Sequence, residues 1–154
     1  MKLKHILYMM CILPFLGGCN NEDDIDTIFA SGTWYVVNYF TKADWDKKNG
    51  EPLYKSNTQE GYAALEIISK FSLTFEEDGT FEGNMQNETF EGTWSADGKK
   101  RSIQLNIKGN PNTTYRFNKE FIESLKTAVH YQGDSNVLLL GPENKKSYIQ
   151  FRHK

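Results

Sequence analysis

Cysteine is nearly absent from the chain. The 154 residues contain two cysteines, Cys11 and Cys19, and none follows position 19. The remainder of the chain therefore cannot form a disulfide, so any domain there must be held together by its core alone. The same absence excludes thiol catalysis in that part of the chain.

A hydrophobic run long enough to span a membrane is also missing. The N-terminal apolar segment, residues 6–16, has eleven positions and is interrupted only by Pro14, whereas a membrane-spanning helix needs roughly 20. Two lysines precede this segment and two glycines follow it. A positive start, a short apolar middle and small residues at the end are typical of a secretory signal peptide.

A cysteine directly follows those glycines. Leu16-Gly17-Gly18-Cys19 resembles the lipobox of bacterial lipoproteins. The resemblance implies that residues 1–18 are a lipoprotein signal peptide, removed by cleavage just before an acylated Cys19. Each buried CH₂ contributes about 0.8 kcal/mol, and more than one acyl chain gives stable membrane anchoring. We therefore expect a membrane as partner through Cys19; an ordinary signal peptide with a coincidental cysteine is the alternative.

Basic charge is scarce. Eighteen lysines and arginines face 20 acidic residues, for a net charge of −2, and loss of Lys2 and Lys4 with a signal peptide makes the balance more acidic. A mildly acidic domain has no general attraction for nucleic acid. The sequence therefore predicts no nucleic-acid partner.

Acidic residues concentrate after the cysteine. Residues 19–31 contain Glu22, Asp23, Asp24 and Asp26 and no basic residue. Like charges repel and stay solvated, which predicts an extended acidic tether. The stretch resembles export signals of surface-exposed lipoproteins in the Bacteroidota, which implies an outer-membrane lipoprotein, surface-exposed or, alternatively, facing the periplasm. Asp26-Thr27-Ile28 also resembles the O-glycosylation acceptor of those bacteria, so Thr27 is a possible glycosylation site; a plain linker is the alternative.

Catalytic signatures are absent as well. After the apolar segment the chain has two histidines, His130 and His153, and it lacks a nucleophile elbow, a His-Glu-x-x-His helix, a phosphate loop and metal-ligand spacing. The sequence predicts no enzyme, no cofactor and no metal site.

Strict alternation is what the chain does have. Apolar and polar residues alternate through residues 71–75, 81–85, 90–94 and 103–107, with turn residues between these stretches. A period of two with intervening turns predicts an antiparallel meander that has one dry face and one wet face.

Further strands and helices surround this meander. Strands are predicted over residues 33–40, 128–132, 136–140 and 147–153, and Tyr115 with Phe117 suggests another one. A helix is predicted from an Asn118 cap to Lys126, and a long loop over residues 41–59. A second helix is favoured over residues 61–69, with an extended lead-in to the next strand as the alternative. The fold class is mainly β: eight strands that close into an up-and-down antiparallel barrel, with one or two short helices.

A short motif opens the first strand. Gly32-Thr33-Trp34 is similar to the Gly-x-Trp of lipocalins, and GTW recurs at residues 92–94. The resemblance implies that Trp34 closes one barrel end and that Arg152 packs over its ring as a cation–π contact. Layout and motifs together resemble lipocalin-like lipoprotein domains of unknown function from the Bacteroidota. The resemblance covers residues 32–154; it implies a lipocalin-like barrel and names no ligand.

Two functions are compatible with these features. The first is a lipid-anchored cell-envelope lipoprotein whose barrel binds a small apolar or amphipathic ligand. Its candidate lining residues are Phe71, Phe75, Phe81, Met85, Phe90, Trp94, Leu105 and Tyr115. The alternative is a filled barrel that acts as a cell-surface protein- or glycan-interaction scaffold. In that case residues 41–59, with Trp45, Leu53 and Tyr54, would contact the partner.

Overall fold

The computed structural model describes residues 23–154. The predicted signal peptide and Cys19 lie outside the described residues. The sheet has nine strands: β1 (Thr33–Asp44), β2 (Asn49–Pro52), β3 (Ser72–Phe75), β4 (Thr80–Met85), β5 (Glu88–Asp97), β6 (Ser102–Ile107), β7 (His130–Gly133), β8 (Val137–Gly141) and β9 (Ser147–Arg152). The helices are α1 (Ile25–Phe29), α2 (Gln59–Ile68) and α3 (Arg116–Thr127). Within this range no helix has the length and apolar character that crossing a membrane requires.

Eight of the strands close into a ring. The sheet runs in the order β2-β1-β3-β4-β5-β6-β7-β8-β9, and β1 also pairs with β9. This closing ladder is antiparallel and extends from Tyr35 opposite Arg152 to Thr41 opposite Ser147. The prediction of a mainly β, antiparallel fold is confirmed, and ring closure leaves only the short β2 as an added edge strand.

Alternation along the strands sets the interior of the ring. In β4 exposed and buried positions alternate from Thr80 to Met85, and β5 alternates in the same way. Gly83 lies opposite Phe90, and Gly92 lies opposite Phe81. A Cβ on either glycine would overlap the ring of the opposing phenylalanine. The two glycines therefore make room for aromatic rings that lie across the neighbouring strand.

A short helix begins the described fold. Asp24 caps α1, since its carboxylate accepts a hydrogen bond from the Thr27 amide at 3.1 Å. Ile28 and Phe29 at the end of α1 are buried. Residues 24–31, which the sequence assigned to an extended tether, are therefore partly helical and packed against the ring.

The second helix agrees with its prediction. α2 begins at Gln59, after Thr58, whose hydroxyl accepts a hydrogen bond from the Gly61 amide at 3.1 Å. Ala64 and Ile68 on one face are buried.

The third helix starts earlier than predicted. α3 begins at Arg116, and Tyr115 just before it is exposed and lies in no strand. The prediction of a strand that contains Tyr115 and Phe117 is wrong, because the two rings flank a helix start. Asn118 is not the cap: its side-chain amide accepts from the Gln86 amide at 3.1 Å and donates to the Gln86 carbonyl at 3.0 Å. These bonds attach α3 to the β4–β5 turn.

The predicted loop over residues 41–59 is also wrong in part. β1 continues to Asp44, and β2 returns beside it to form a hairpin. Trp45 is partly buried, with its ring 6.0 Å from that of Tyr148. Tyr54 is buried, so of the three apolar residues expected to be exposed there only Leu53 is, at 45 %.

Candidate functional site

The residues predicted to line a ligand cavity mostly meet inside the ring. Six of the eight are buried in one core: Phe71, Phe75, Phe81, Met85, Phe90 and Trp94. Leu105 is partly buried against this core. Tyr115 lies outside it, exposed at the start of α3, so it does not line the interior.

A ring from α1 fills one end of the interior. The Phe29 side chain is fully buried. Its centroid lies 5.2 Å from that of Phe75, 5.1 Å from Trp94 and 5.0 Å from Tyr131. The Phe75 and Tyr131 contacts are edge-to-face, the arrangement that aromatic quadrupoles favour. Trp34 Nε1 donates to the Phe29 carbonyl at 3.1 Å, which holds α1 in place.

A ring from α3 fills the other end. Phe121 is also fully buried. Its centroid lies 5.3 Å from that of Phe71, 6.0 Å from Phe90 and 6.4 Å from Phe151. The sequence pattern places Phe121 on the apolar face of a predicted helix without directing it into the ring, and Phe29 was not predicted to be part of the interior. The signal for Phe29 was Asp24 followed by Ile25, Ile28 and Phe29, an N-cap followed by helical spacing.

The predicted pair at the barrel end is different in the structure. Trp34 is fully buried, and the ring that packs against it belongs to His153, with 3.9 Å between centroids and an interplanar angle of 35°. His153 Nδ1 donates to the Thr33 carbonyl at 2.8 Å, and Nε2 lies 3.0 Å from Ser31 Oγ. Arg152 is exposed because adjacent strand residues face opposite sides. The prediction that Arg152 covers Trp34 is therefore wrong, because the next residue, His153, occupies that place.

A polar cluster lies between β1, α3 and the β8–β9 turn. The Tyr54 hydroxyl donates to Glu120 Oε2 at 2.5 Å. Burial and the adjacent Glu120 carboxylate raise the pKa of Tyr54 well above its ordinary value. Burial, with Glu120 and Tyr54 nearby, also raises the pKa of Tyr39. Within residues 23–154 the buried Tyr39 hydroxyl has no hydrogen-bond partner.

Asn38 positions this cluster. Its amide Nδ2 donates to the Tyr54 carbonyl at 2.7 Å, and Oδ1 accepts from the backbone amides of Tyr39 and Tyr54. The register of β1 against β9 shifts between Val36 and Asn38. This bulge directs the Asn38 amide toward the Tyr54 backbone. A buried asparagine therefore joins the segment after β2 to the ring.

A small open cleft of about 190 Å³ adjoins the cluster. Tyr39, Leu53 and Glu120 line it, together with Ser124 and Tyr148. The cleft has an aliphatic wall, hydroxyl groups and one carboxylate.

A cleft of about 560 Å³ lies along β4, β5 and β6 and is open to solvent. Glu82 and Glu91 are opposite each other there. Lys108 Nζ lies 2.7 Å from Glu91 Oε1. The hydrogen bond and charge of Lys108 lower the pKa of Glu91, and those of Glu91 raise the pKa of Lys108. These are hydrated, paired surface charges, which are poor general acids or bases near neutral pH.

The two histidines within residues 23–154, His130 and His153, contact different groups. His130 Nε2 lies 3.4 Å from Glu143 Oε2, at the surface, and His153 is engaged with backbone and serine as above. Across the described part of the chain, no three His, Cys, Asp or Glu side chains come together as a metal ion would need.

Comparison with known proteins gives a family and a solved relative. Residues 20–153 match the family model described as "Domain of unknown function (DUF4847)". The chain is 54 % identical to a DUF4847 family protein from Bacteroides vulgatus ATCC 8482 whose crystal structure is known. That match has a TM-score of 0.80 and covers 84 % of this chain and 97 % of the other. No curated protein matches the chain. The resemblance to a domain of unknown function from the Bacteroidota is confirmed, and the chain belongs to the DUF4847 family.

Proposed function

We propose that this protein is an outer-membrane lipoprotein, anchored through acylated Cys19, whose lipocalin-like barrel is filled and serves as an interaction scaffold. The observation that carries the proposal is the pair of rings at the two ends of the interior. Phe29 and Phe121 occupy the space that an apolar ligand would need. A closed, filled ring is rigid, and a rigid fold presents fixed surfaces to a partner.

Binding of an apolar ligand inside the barrel is the second candidate. It is supported by the aromatic lining of the ring and by the short length of α1, which carries Phe29 and has only five residues. A ligand would have to displace Phe29 or Phe121, and each displaced ring loses roughly 1.5–3 kcal/mol of burial free energy. That cost is why we rank the scaffold first.

The proposed contact site of the scaffold is the 190 Å³ cleft beside α3. Glu120 is the one charged side chain among the described residues that line it. Leu53 on its wall is 45 % exposed. A carboxylate beside an aliphatic wall suits a lysine side chain, whose ammonium pairs with Glu120 while its stem packs on Leu53. The partner we propose is a protein segment that offers an exposed lysine.

Titration with dansyl-undecanoic acid, a fluorescent apolar probe, separates the two candidates. The filled scaffold predicts no saturable binding to the wild-type chain. Phe29→Ala opens the interior, and we expect this variant to enhance the probe's fluorescence. Saturable binding to the wild type that Phe121→Trp abolishes would overturn the scaffold and establish interior ligand binding.

The contact site is tested by NMR titration with N-acetyl-lysine amide. We expect shifts of the Leu53 and Ser124 amide resonances in the wild type and their loss in Glu120→Gln, which keeps an acceptor for Tyr54. Glu123→Gln, on the exposed face of the same helix, is the matched control and should behave as the wild type does. Equal shifts in Glu120→Gln, or none in the wild type, would reject the cleft.

A further inference from the structure

The first described residue is fixed to the ring by its side chain. Asp23 receives two hydrogen bonds from Arg101, Nε to Oδ2 at 3.1 Å and Nη2 to Oδ1 at 3.3 Å. The Tyr131 hydroxyl donates to Asp23 Oδ2 at 3.1 Å, and the Asp23 amide donates to the Gly98 carbonyl at 3.4 Å. Asp23 is therefore attached both to the β5–β6 turn and to β7.

The residues that follow Asp23 are also packed against the ring. Phe29 is fully buried, and its carbonyl accepts from Trp34 Nε1. Residues 23–29 therefore belong to the end of the ring. Only residues 20–22 separate them from Cys19. Four chain steps reach at most about 14 Å, even when fully extended.

The direction of each strand defines which end of the ring is involved. Successive antiparallel strands bring α1 to the same end as the turns at residues 76–79, 97–101 and 133–136; we call this the proximal end. The connections that contain α2 and α3 lie at the opposite, distal end. Among residues 23–154, the exposed large apolar side chains Leu53, Tyr62 and Tyr115 are in these distal connections.

The proximal end exposes charges of both signs. Its turns carry Glu76, Glu77 and Asp78 on one side and Lys99, Lys100 and Arg101 on another, all exposed. Zwitterionic headgroups such as phosphatidylethanolamine carry an ammonium and a phosphate, so they complement both groups of charges.

We infer that in the acylated protein the proximal end is held against a zwitterionic bilayer surface, with the distal end and its exposed apolar side chains directed away from it. This inference rests on the proposed anchor at Cys19. Because only three residues lie between Cys19 and the fixed Asp23, the domain cannot turn over relative to the acyl chains. The distal end then presents the 190 Å³ cleft beside α3, which Leu53 lines, to partners outside the membrane.

The test uses the full chain, purified from bacterial membranes and reconstituted in phosphatidylethanolamine–phosphatidylcholine vesicles that contain a headgroup-quencher lipid. Single cysteines at Lys99→Cys, proximal, and Glu143→Cys, in the distal β8–β9 turn, carry a fluorophore. Strands of this length separate the two ends by roughly 20 Å. We expect several-fold stronger quenching at position 99 than at position 143.

Two variants test the cause. A long Gly-Ser linker inserted between Glu22 and Asp23 should make quenching at the two positions alike. Asp26→Ala, which removes an exposed charge from α1 without lengthening the chain, should keep the wild-type difference. Intact mass of the same sample separates the outcomes. A chain without acyl groups overturns the proposed anchor and this inference together. An acylated chain that shows equal quenching at both positions, or a linker variant that keeps the difference, overturns the inference alone.

Discussion

Individual side chains decide whether the ring is open or filled. Phe29 and Phe121 come from helices outside the meander, yet both are fully buried among its rings. Each contributes its apolar area and also edge-to-face contacts. The strands alone would leave space where these two rings lie.

Replacement of Phe29 by alanine should be costly. We expect Phe29→Ala to lower the free energy of unfolding by about 3–5 kcal/mol, because it removes a fully buried ring and leaves a cavity. Urea denaturation measures the loss. Thr27→Ala, on the exposed face of the same helix, should change stability by no more than about 0.5 kcal/mol. Similar values for the two variants would show that Phe29 does not fill the ring end.

His153 rather than Arg152 should stabilise the end near Trp34. His153→Ala removes the hydrogen bond to the Thr33 carbonyl and uncovers the Trp34 ring, so we expect a loss of about 1–3 kcal/mol. Arg152→Ala should cost no more than about 0.5 kcal/mol, since that side chain is exposed. Urea denaturation measures the loss for each variant. A larger loss for Arg152→Ala than for His153→Ala would contradict the prediction and favour the cation–π contact expected from the lipocalin resemblance.

At the scale of the elements, three proximal turns each contain an aspartate whose side chain accepts hydrogen bonds from the backbone. Asp78, Asp97 and Asp134 each accept hydrogen bonds from backbone amides two or three positions further on. These bonds favour the carboxylate and lower the pKa of Asp97 and Asp134 below its ordinary value. The pKa of Asp78 is lowered mainly by the Thr80 hydroxyl, which donates to Asp78 Oδ1 at 2.6 Å, and then by the Thr80 amide. Each aspartate thereby stabilises the turn that starts the next strand.

Acid should therefore weaken the fold. In these turns the folded-state pKa lies below the unfolded-state value, so the unfolded chain takes up protons first as the pH falls. We expect the urea midpoint to be level above about pH 5 and to decrease below it. Asp134→Asn should reduce the slope of that decrease. A midpoint that stays constant down to pH 2 would contradict the prediction.

Element types were predictable where period and length were both clear. Residues 71–107 contain four alternating stretches separated by turns, and these stretches form β3 to β6 as expected. A strand was wrongly predicted at Tyr115 and Phe117 because two aromatic residues separated by one position fit the period of a strand. The helical spacing that identifies α3 comes later, at Phe121, Ile122 and Leu125. The hairpin within residues 41–59 was not predicted because three of the four residues of β2 are exposed, so this strand shows no apolar alternation. Its contacts, such as Trp45 over Gly141, come from distant strands.

For the whole molecule, closure between the first and last strands is decisive. β1 bonds to β3 on one side and to β9 on the other. Without β9, both β1 and β8 would present unpaired edges, and the buried Tyr148, Ile149 and Phe151 would be lost from the structure.

Removal of the last strand should abolish folding. We expect a chain that ends at Lys146 to lack cooperative thermal unfolding and to aggregate, because most of the interior loses its cover. Circular dichroism and light scattering measure both effects. A chain shortened only by Lys154, whose ammonium lies 4.0 Å from the Tyr35 ring centroid, should still fold. A cooperative transition in the longer truncation would show that closure is dispensable.

The sequence by itself determined the antiparallel, mainly β character of this protein and most of its buried residues, because alternation and turn chemistry are local and can be read from neighbouring positions. Only the tertiary structure decided that Phe29 and Phe121 fill the interior, that His153 covers Trp34, and that residues 23–31 already pack against the ring. The physical reason is the same in each case. Phe29, Phe121 and His153 contact residues that are distant in the sequence. The spacing of residues within a strand does not determine which side chain from a helix, or from the other end of the chain, will pack against it.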